Sequence, residues 1–277
     1  MTYLGVDTCA QITAQQAHSL RENGVSFVCR YLVPEGYSKG VTAAEILTLR
    51  GAGLAILFCW ETSASAMSKG AAQGVQDGAR ARQLAEKFGL PSGTAIYFAA
   101  DYDVPQRDLI QGEQYILAAQ SALGKYVAGI YGGQRVCEFL RDRGTTSKIW
   151  QCVAWTNVFL PDASVRQYAW QGADESKAMA AATGILAVDM DATEDMRKAG
   201  MWMPYTEYED GDGTIVEPIA DPWYVKNGTQ TWVEKEGIAS GGRPNDYATR
   251  AEVWQMIRNY NRRFESEDTK SDSGLLS

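Results

Sequence analysis

The sequence predicts an α/β fold, a closed (β/α)8 TIM-like barrel, on three observations. Eight apolar runs of strand length recur between residues 4 and 191 of the 277-residue chain. Most of the runs are separated by stretches of helical periodicity, and strand followed by helix, repeated, implies a parallel sheet with right-handed crossovers. An unusual number of the runs end in a carboxylate or an aromatic, and in such a barrel the strand C-termini converge on the face where active sites are built.

The runs are Leu4–Cys9, Phe27–Val33, Leu54–Glu61, Ala95–Asp101, Val127–Gly132, Ile149–Trp155, Val165–Trp170 and Ile185–Asp191. Between them a helix begins near Thr13, and Thr42 with Glu45 three residues on reads as a capping box opening a helix over 42–51. Longer helices are expected over 69–89 and 107–124, the second carrying Leu109, Ile116 and Leu123 at heptad spacing beside Ile110 and Leu117 as a core-facing stripe. The connections bearing Gly172 and Gly184 are short, so the final helices are expected to be degenerate.

The barrel is assigned to residues 1–200. Residues 201–222 follow as an acidic linker, with Glu207, Glu209, Asp210, Asp212, Glu217 and Asp221 but no Lys or Arg over 206–222, and with a small hairpin around Asp212-Gly213. Residues 223–263 turn helical again, with a second capping box at Thr249 and Glu252, and 264–277 form a Ser-, Asp- and Lys-containing tail too poor in apolar residues to fold.

Composition narrows the chemistry. A net charge of -8 and the lack of a Lys/Arg-rich run argue against nucleic acid or an anionic membrane as partner. No segment approaches the roughly 18 apolar residues of a membrane span. The opening Met1-Thr-Tyr-Leu-Gly-Val reads as a strand and not as a leader, so synthesis in the cytoplasm without a signal peptide is expected. The five cysteines (Cys9, Cys29, Cys59, Cys137, Cys152) are odd in number and show no CxxC spacing, which fits buried reduced thiols better than disulfides or zinc. His18 is the single histidine, which excludes poly-histidine metal sites and disfavours a Ser-His-Asp triad. The chemistry must fall to carboxylates, with no cofactor.

Asp101 and Asp103 are two apart, so on a strand they point the same way. Two close carboxylates cannot both ionise freely, and one is then kept protonated as a general acid beside an ionised partner. Asp189 and Asp191 repeat the spacing on the last strand, beside Asp7 on the first, and Glu61 ends the third. A lone DxD more often caps a loop or binds a structural cation; two of them with Asp7 and Glu61 at separate strand ends point to a catalytic cluster. Tyr31, Trp60, Tyr131, Trp155 and Trp170, with Gln171, lie near strand ends as rings and an amide for a sugar groove; each ring alone is more often core, and it is their gathering at one rim that suggests the groove. Arg30 is a candidate partner for one of the acids, or a surface arginine.

The motifs Gly5-Val-Asp7, Tyr97-Phe-Ala-Ala-Asp101-Tyr-Asp103, Gly129-Ile-Tyr-Gly-Gly133, Trp170-Gln171 and Val188-Asp-Met-Asp191 occur in the order seen in a glycoside-hydrolase-like family, domain of unknown function 1906. The chain resembles that family over about residues 3–195, and through it is similar to the family 25 lysozymes. The resemblance implies a peptidoglycan muramidase, cutting after N-acetylmuramic acid. It places Asp103 where the lysozymes have their catalytic Glu, Asp101 on its partner, Asp7 on the first-strand acid and Asp189 on the last-strand acid; Asp191, two residues on from Asp189, is read separately as a substrate-side residue. Asp at position 103 is one methylene shorter than that Glu, and Glu61 stands as the substitute acid.

Near the C-terminus, Trp232-Val-Glu-Lys-Glu-Gly-Ile238, Gly242-Arg-Pro-Asn-Asp246 and Ala248-Thr-Arg-Ala-Glu-Val-Trp254 resemble the second half of a surface-layer-homology motif and the C-terminal repeats of phage lysins. That resemblance implies attachment to bacterial cell wall, or self-association since one copy is present, and an endolysin acting on the wall after release in phage lysis. Two other readings stay open beside the hydrolase. One is a catalytically decayed module that binds wall glycan; the other is a hydrolase in which the acids hold a divalent metal.

Overall fold

The computed structural model describes residues 2–204 and the backbone of 208–209 and 215–216. Eight strands close a barrel in sequence order: β1 (Tyr3–Asp7), β2 (Val25–Tyr31), β3 (Ala55–Trp60), β4 (Ala95–Ala99), β5 (Val127–Gly132), β6 (Ile149–Cys152), β7 (Val165–Ala169) and β8 (Asp189–Thr193). Six helices cover it: α1 (Ala14–Glu22), α2 (Ala43–Gly51), α3 (Ala71–Lys87), α4 (Leu109–Leu123), α5 (Gln134–Asp142) and α6 (Asp174–Thr183). The barrel predicted from the sequence is therefore the fold, with two departures.

The first is direction. Strands β1 to β7 are parallel, but β8 runs antiparallel to both β7 and β1, pairing Asp7 with Asp189 and Gly5 with Asp191. The all-parallel sheet is thereby corrected: the β7–β8 connection starts and ends at the same rim and needs no crossover. Its helix α6 lies against α1, where Gln16 donates to the Gly184 carbonyl at 2.8 Å and Ser19 to that of Ala182 at 3.1 Å. The second departure is that two positions of the outer layer lack a helix: after β6, residues 153–164 cross as an irregular segment, and among the described residues no helix follows β8.

Cap chemistry starts the first two helices. Thr13 and Gln16 form a reciprocal capping box at α1, which satisfies two otherwise orphan donors. Thr42 accepts from the Glu45 N–H at α2, but the Glu45 carboxylate turns away from the reciprocal bond, because it is taken by Arg30 and by the Ile12 N–H. On α4, Leu109, Ile116 and Leu123 are buried as the stripe predicts, whereas Ile110 and Leu117 are about half exposed. They lie about 100° further round the helix, past the line along which α4 meets its neighbours.

Strand alternation divides the core into two layers. Outward residues such as Val6, Val28, Phe58 and Phe98 pack against Leu20, Leu49, Ala81, Ile116 and Leu140 of the helices. Inward residues Phe27, Cys29, Leu57, Cys59, Tyr97, Trp150 and Val165 fill the lumen. Gly5 and Gly129 are needed there: a Cβ on Gly5 would lie 2.2 Å from the Phe27 ring, and one on Gly129 2.7 Å from Tyr97. The segment after β8 closes the lower end, with Ala199 and Met201 in the lumen cluster, reciprocal Ile56–Trp202 backbone bonds of 2.9 Å, and the Tyr97 hydroxyl donating to the Ala199 carbonyl at 2.8 Å. Met201 and Trp202 thus belong to the barrel, whose compact unit extends to Pro204.

Beyond it, Tyr208–Glu209 pairs antiparallel with Ile215–Val216, while the Asp212-Gly213 turn expected from the sequence lies outside the described residues. The expected helical wall-binding motif of 223–263 and the tail of 264–277 lie outside the described residues. All five cysteines are free thiols, Cys9 exposed and the others buried.

Candidate functional site

The upper rim gathers acids from opposite sides of the barrel. Asp7 ends β1 and is buried, Asp189 opens β8 directly opposite it and is half-buried, and Asp101 stands exposed just beyond β4. Burial pushes the Asp7 carboxyl up to about 7, helped by like charge from Asp189 and then Asp101 and opposed by the Gln167 hydrogen bond. Asp189 is also raised, by desolvation and by Asp101, against a backbone N–H from Gln171. Asp101 is raised because the surrounding wall displaces water from it and Glu61 adds like charge, with Lys39 opposing.

Asp191 lies one step deeper, fully buried opposite Gly5, and burial followed by the charge of Asp7 raises it well above the carboxylate range. Trp150 Nε1 donates to its Oδ1 at 2.8 Å and Cys29 Sγ approaches its Oδ2 at 3.7 Å. Antiparallel β8 is what sinks Asp191; on a parallel strand it would have been the acid nearer the rim.

Gln167 ties the centre together. Its Nε2 donates to Asp7 Oδ2 at 2.6 Å and to Asp189 Oδ2 at 3.2 Å, and its Oε1 accepts from the Tyr131 hydroxyl at 3.2 Å. The Tyr131 ring rests edge-on against Trp150 at 4.5 Å. Sequence reasoning missed Gln167 and Trp150, though Gln167 left a signal two residues after Val165: a polar side chain in the phase that turns Val165 into the lumen.

On the β2–β3 side, Glu61 pairs with Lys39 at 2.5 Å, and Lys39 Nζ lies 4.3 Å from the centre of the Tyr31 ring. Asp103 turns outward to Arg135 on α5 at 3.0 Å and is largely exposed. The structure therefore brings together Asp7, Asp189, Asp191 and Asp101, with Tyr31, Tyr131 and Glu61 around them; Asp103 has Arg135 as its partner, not a second acid.

Two expected site residues face away. Cys29 and Tyr31 point inward, so Arg30 points out, and it is completely buried between β2 and α2, pairing with both Glu45 oxygens at 2.8 and 3.2 Å and donating to the Thr8 and Lys39 carbonyls. It serves the scaffold, not an acid of the site. By the same alternation Cys59 is inward and Trp60 outward, where Trp60 is buried against Phe98 at 6.4 Å between ring centres. Neither can meet a ligand at the rim.

The exposed rings are elsewhere on the rim. Trp155 takes φ 54°, the one positive φ among described non-glycine residues. It is held there by its carbonyl accepting from the Gln134 N–H at 3.2 Å, while Gln134 Oε1 accepts from the Asn157 and Val158 N–H groups at 3.1 Å each. Trp170 is exposed and folds over Gly172, where a Cβ would lie 2.1 Å from its ring; Gln171 beside it is exposed as well. Among the described residues, no group of three or more His, Cys, Asp or Glu side chains is arranged to hold a metal ion.

Residues 18–193 match the family described as Rv2525c-like, glycoside hydrolase-like domain. The chain belongs to that family. The Mycobacterium tuberculosis Tat-secreted protein Rv2525c, solved with L-tartrate, is 23% identical and superposes with a TM-score of 0.61 over 73% of this chain and 98% of that one. A Bacillus stearothermophilus protein solved at 1.07 Å superposes with a TM-score of 0.53 at 19% identity, covering 72% of this chain and all of its own. At these identities the two structures support the barrel alone. YbfG of Bacillus subtilis is 32% identical over 157 residues, which is 50% of this chain and 21% of YbfG. The match thus spans about a fifth of that relative's length.

Proposed function

We propose that this glycoside-hydrolase-like barrel is a hydrolase of bacterial cell-wall glycan, with peptidoglycan as substrate and a muramidase-type cut. One observation carries the reading: Asp7, Asp101 and Asp189, from three strands, converge on one rim at graded depths, each raised in proton affinity by burial, Asp7 further by Asp189 and Asp101, Asp189 by Asp101, and Asp101 by Glu61. Glycoside hydrolysis asks for that inequality, with one carboxyl kept protonated to meet the leaving oxygen and another kept ionised to face the developing positive charge of the sugar.

Asp101 is the proton donor in this reading, because it is raised and yet reaches solvent. Asp189 is the ionised partner, held so by N–H donors from Gln167 and Gln171. Asp7 lies behind it as its proton-holding neighbour, and Asp103, oriented by Arg135, is a second rim carboxylate in place of the donor the resemblance implied. Trp155, Trp170 and Tyr31 supply faces for pyranose rings, whose C–H surfaces stack on aromatics. Glu61 spends its carboxylate on Lys39.

The cell wall lies outside the cytoplasm, so the reading requires an extracellular site of action, by export or by release during phage lysis. Among the described residues no helix is long and apolar enough to cross a membrane. The segment from Trp223 is proposed as the wall-binding or self-associating module.

The test is release of reducing sugar ends from purified peptidoglycan. Release by the intact chain that disappears in Asp101→Asn supports the assignment; an intact chain that binds the wall without releasing ends removes it. The outward pairing of Asp103 with Arg135 favours that second outcome, a glycan-binding barrel without turnover.

A further inference from the structure

We propose that Gln167, anchored by Tyr131 and oriented by the two carboxylates it meets, is a positioning residue that holds Asp7 and Asp189 as a single proton-sharing pair. Its consequence for turnover rests on the glycan-hydrolase reading; the arrangement itself does not.

The geometry leaves the amide one orientation. Its oxygen receives the Tyr131 hydroxyl at 3.2 Å, and its nitrogen, with two hydrogens, meets one carboxylate oxygen of each acid at 2.6 and 3.2 Å. A flipped amide would set its oxygen against two carboxylates and lose both bonds to the acids, while the Tyr131 hydroxyl, which accepts as well as donates, would keep a partner in the NH2. Tyr131 is itself fixed, by the Trp150 ring at 4.5 Å, and Trp150 by its bond to Asp191. The chain of contacts therefore runs Asp191–Trp150–Tyr131–Gln167 and ends on both acids.

Two NH donors aimed at two acids stabilise negative charge on either, while their proximity disfavours charge on both. One proton on the pair satisfies both constraints. Asp7, the more buried, is its natural holder, and Asp189, which also accepts from the Gln171 N–H, is the charged member turned toward the rim. The other titratable groups acting on or with Asp7 are Asp191 on β8, Asp101 beyond β4, Cys29 and Tyr31 on β2, Cys59 on β3 and Tyr131 on β5. Each of these is neutral or negative, and Gln167 donates to both Asp7 and Asp189 without carrying a charge to titrate.

The experiment is a carbon-13 carboxyl NMR titration of Asp7 and Asp189 in the full chain, in Gln167→Met and in Tyr131→Phe, with amide spectra as the check on folding. Loss of both donors in Gln167→Met should move the pair's titration up by about one pH unit or more, the worth of a hydrogen bond to a charged group. Tyr131→Phe, which keeps the donors and frees the amide to turn, should give a smaller upward move. Titrations that coincide with those of the intact chain in a folded Gln167→Met overturn the proposal. Should that variant not fold, an unmoved titration in Tyr131→Phe overturns it instead. Failure of the hydrolase reading would appear separately, as an intact chain whose carboxyls titrate as described but which releases no reducing ends.

Discussion

Replacing Asp7 with Asn should flatten the pH dependence of folding, and the size of the effect follows from the site. The Asp7 carboxyl is raised from an ordinary 3.8 to about 7, chiefly by burial and secondarily by Asp189. A carboxyl raised in the folded state binds its proton more tightly there than in the unfolded chain, so its contribution is full below about pH 4 and is lost as pH rises through about 7. Three units at about 1.4 kcal/mol each give about 4 kcal/mol, and sharing of the proton with Asp189 reduces the part that belongs to Asp7 alone to about 2–4 kcal/mol. Asp101, Asp189 and Asp191 are raised too and tilt the curve in the same direction, so the variant keeps a slope, but a shallower one. Asn preserves an oxygen to accept from Gln167. Urea unfolding of both chains at steps from about pH 4 to about pH 8 measures the difference. Parallel stability curves across that window would refute the placing of a proton on Asp7.

Three further outcomes test the scaffold and the rim. Arg30→Met leaves Glu45 buried without its partner and should cost about 3–5 kcal/mol in urea unfolding, while the double change Arg30→Met with Glu45→Leu should recover most of it. Gly74→Ala places a Cβ 2.2 Å from the Tyr115 carbonyl oxygen where α3 meets α4 and should destabilise by about 1–3 kcal/mol in thermal melts, whereas Gly51→Ala, with open space around it, should be neutral or slightly stabilising. Trp155→Gly relieves a left-handed backbone worth about 1 kcal/mol and should leave stability level or raised after the lost ring contacts, yet weaken retention on insoluble peptidoglycan; retention equal to that of the intact chain would remove Trp155 from the glycan surface.

The barrel was legible because most strands lie in runs of apolar residues bounded by turn chemistry, and Val127–Gly132 coincides with its predicted span. Asp7, Asp101 and Asp189 were legible as strand-end acids for the same reason. Arg30 and Trp60 were misplaced by attending to their nearness to strand ends and not to their phase: period-two alternation from Asp7's neighbours Cys29 and Tyr31 already turns Arg30 outward, and Glu61 turns Trp60 outward. Gln167 went unnoticed since a single amide has no motif; its meaning comes from partners 160 and 22 residues away in sequence. The reversal of β8 had no local signal, because the run Ile185–Asp191 reads alike in either direction, and the strand itself falls later than that run, at Asp189–Thr193.

That reversal decides what the last strand's two acids can do. A parallel β8 would rise to the rim and end on Asp191, with Asp189 two residues below it. Entering at the rim and descending instead, β8 sets Asp189 opposite Asp7 where solvent still reaches it, and buries Asp191 opposite Gly5. The same DxD spacing thus yields an outer carboxylate able to carry charge and an inner one whose partners, Trp150 and Cys29, hold it in an apolar lumen. Descent also delivers the chain to the barrel floor, where Ala199, Met201 and Trp202 close the end opposite the site. One change of strand direction therefore both seals the floor and sorts the acids into different depths, and the inequality among carboxylates on which acid–base chemistry depends is built by topology, with no difference in residue type required.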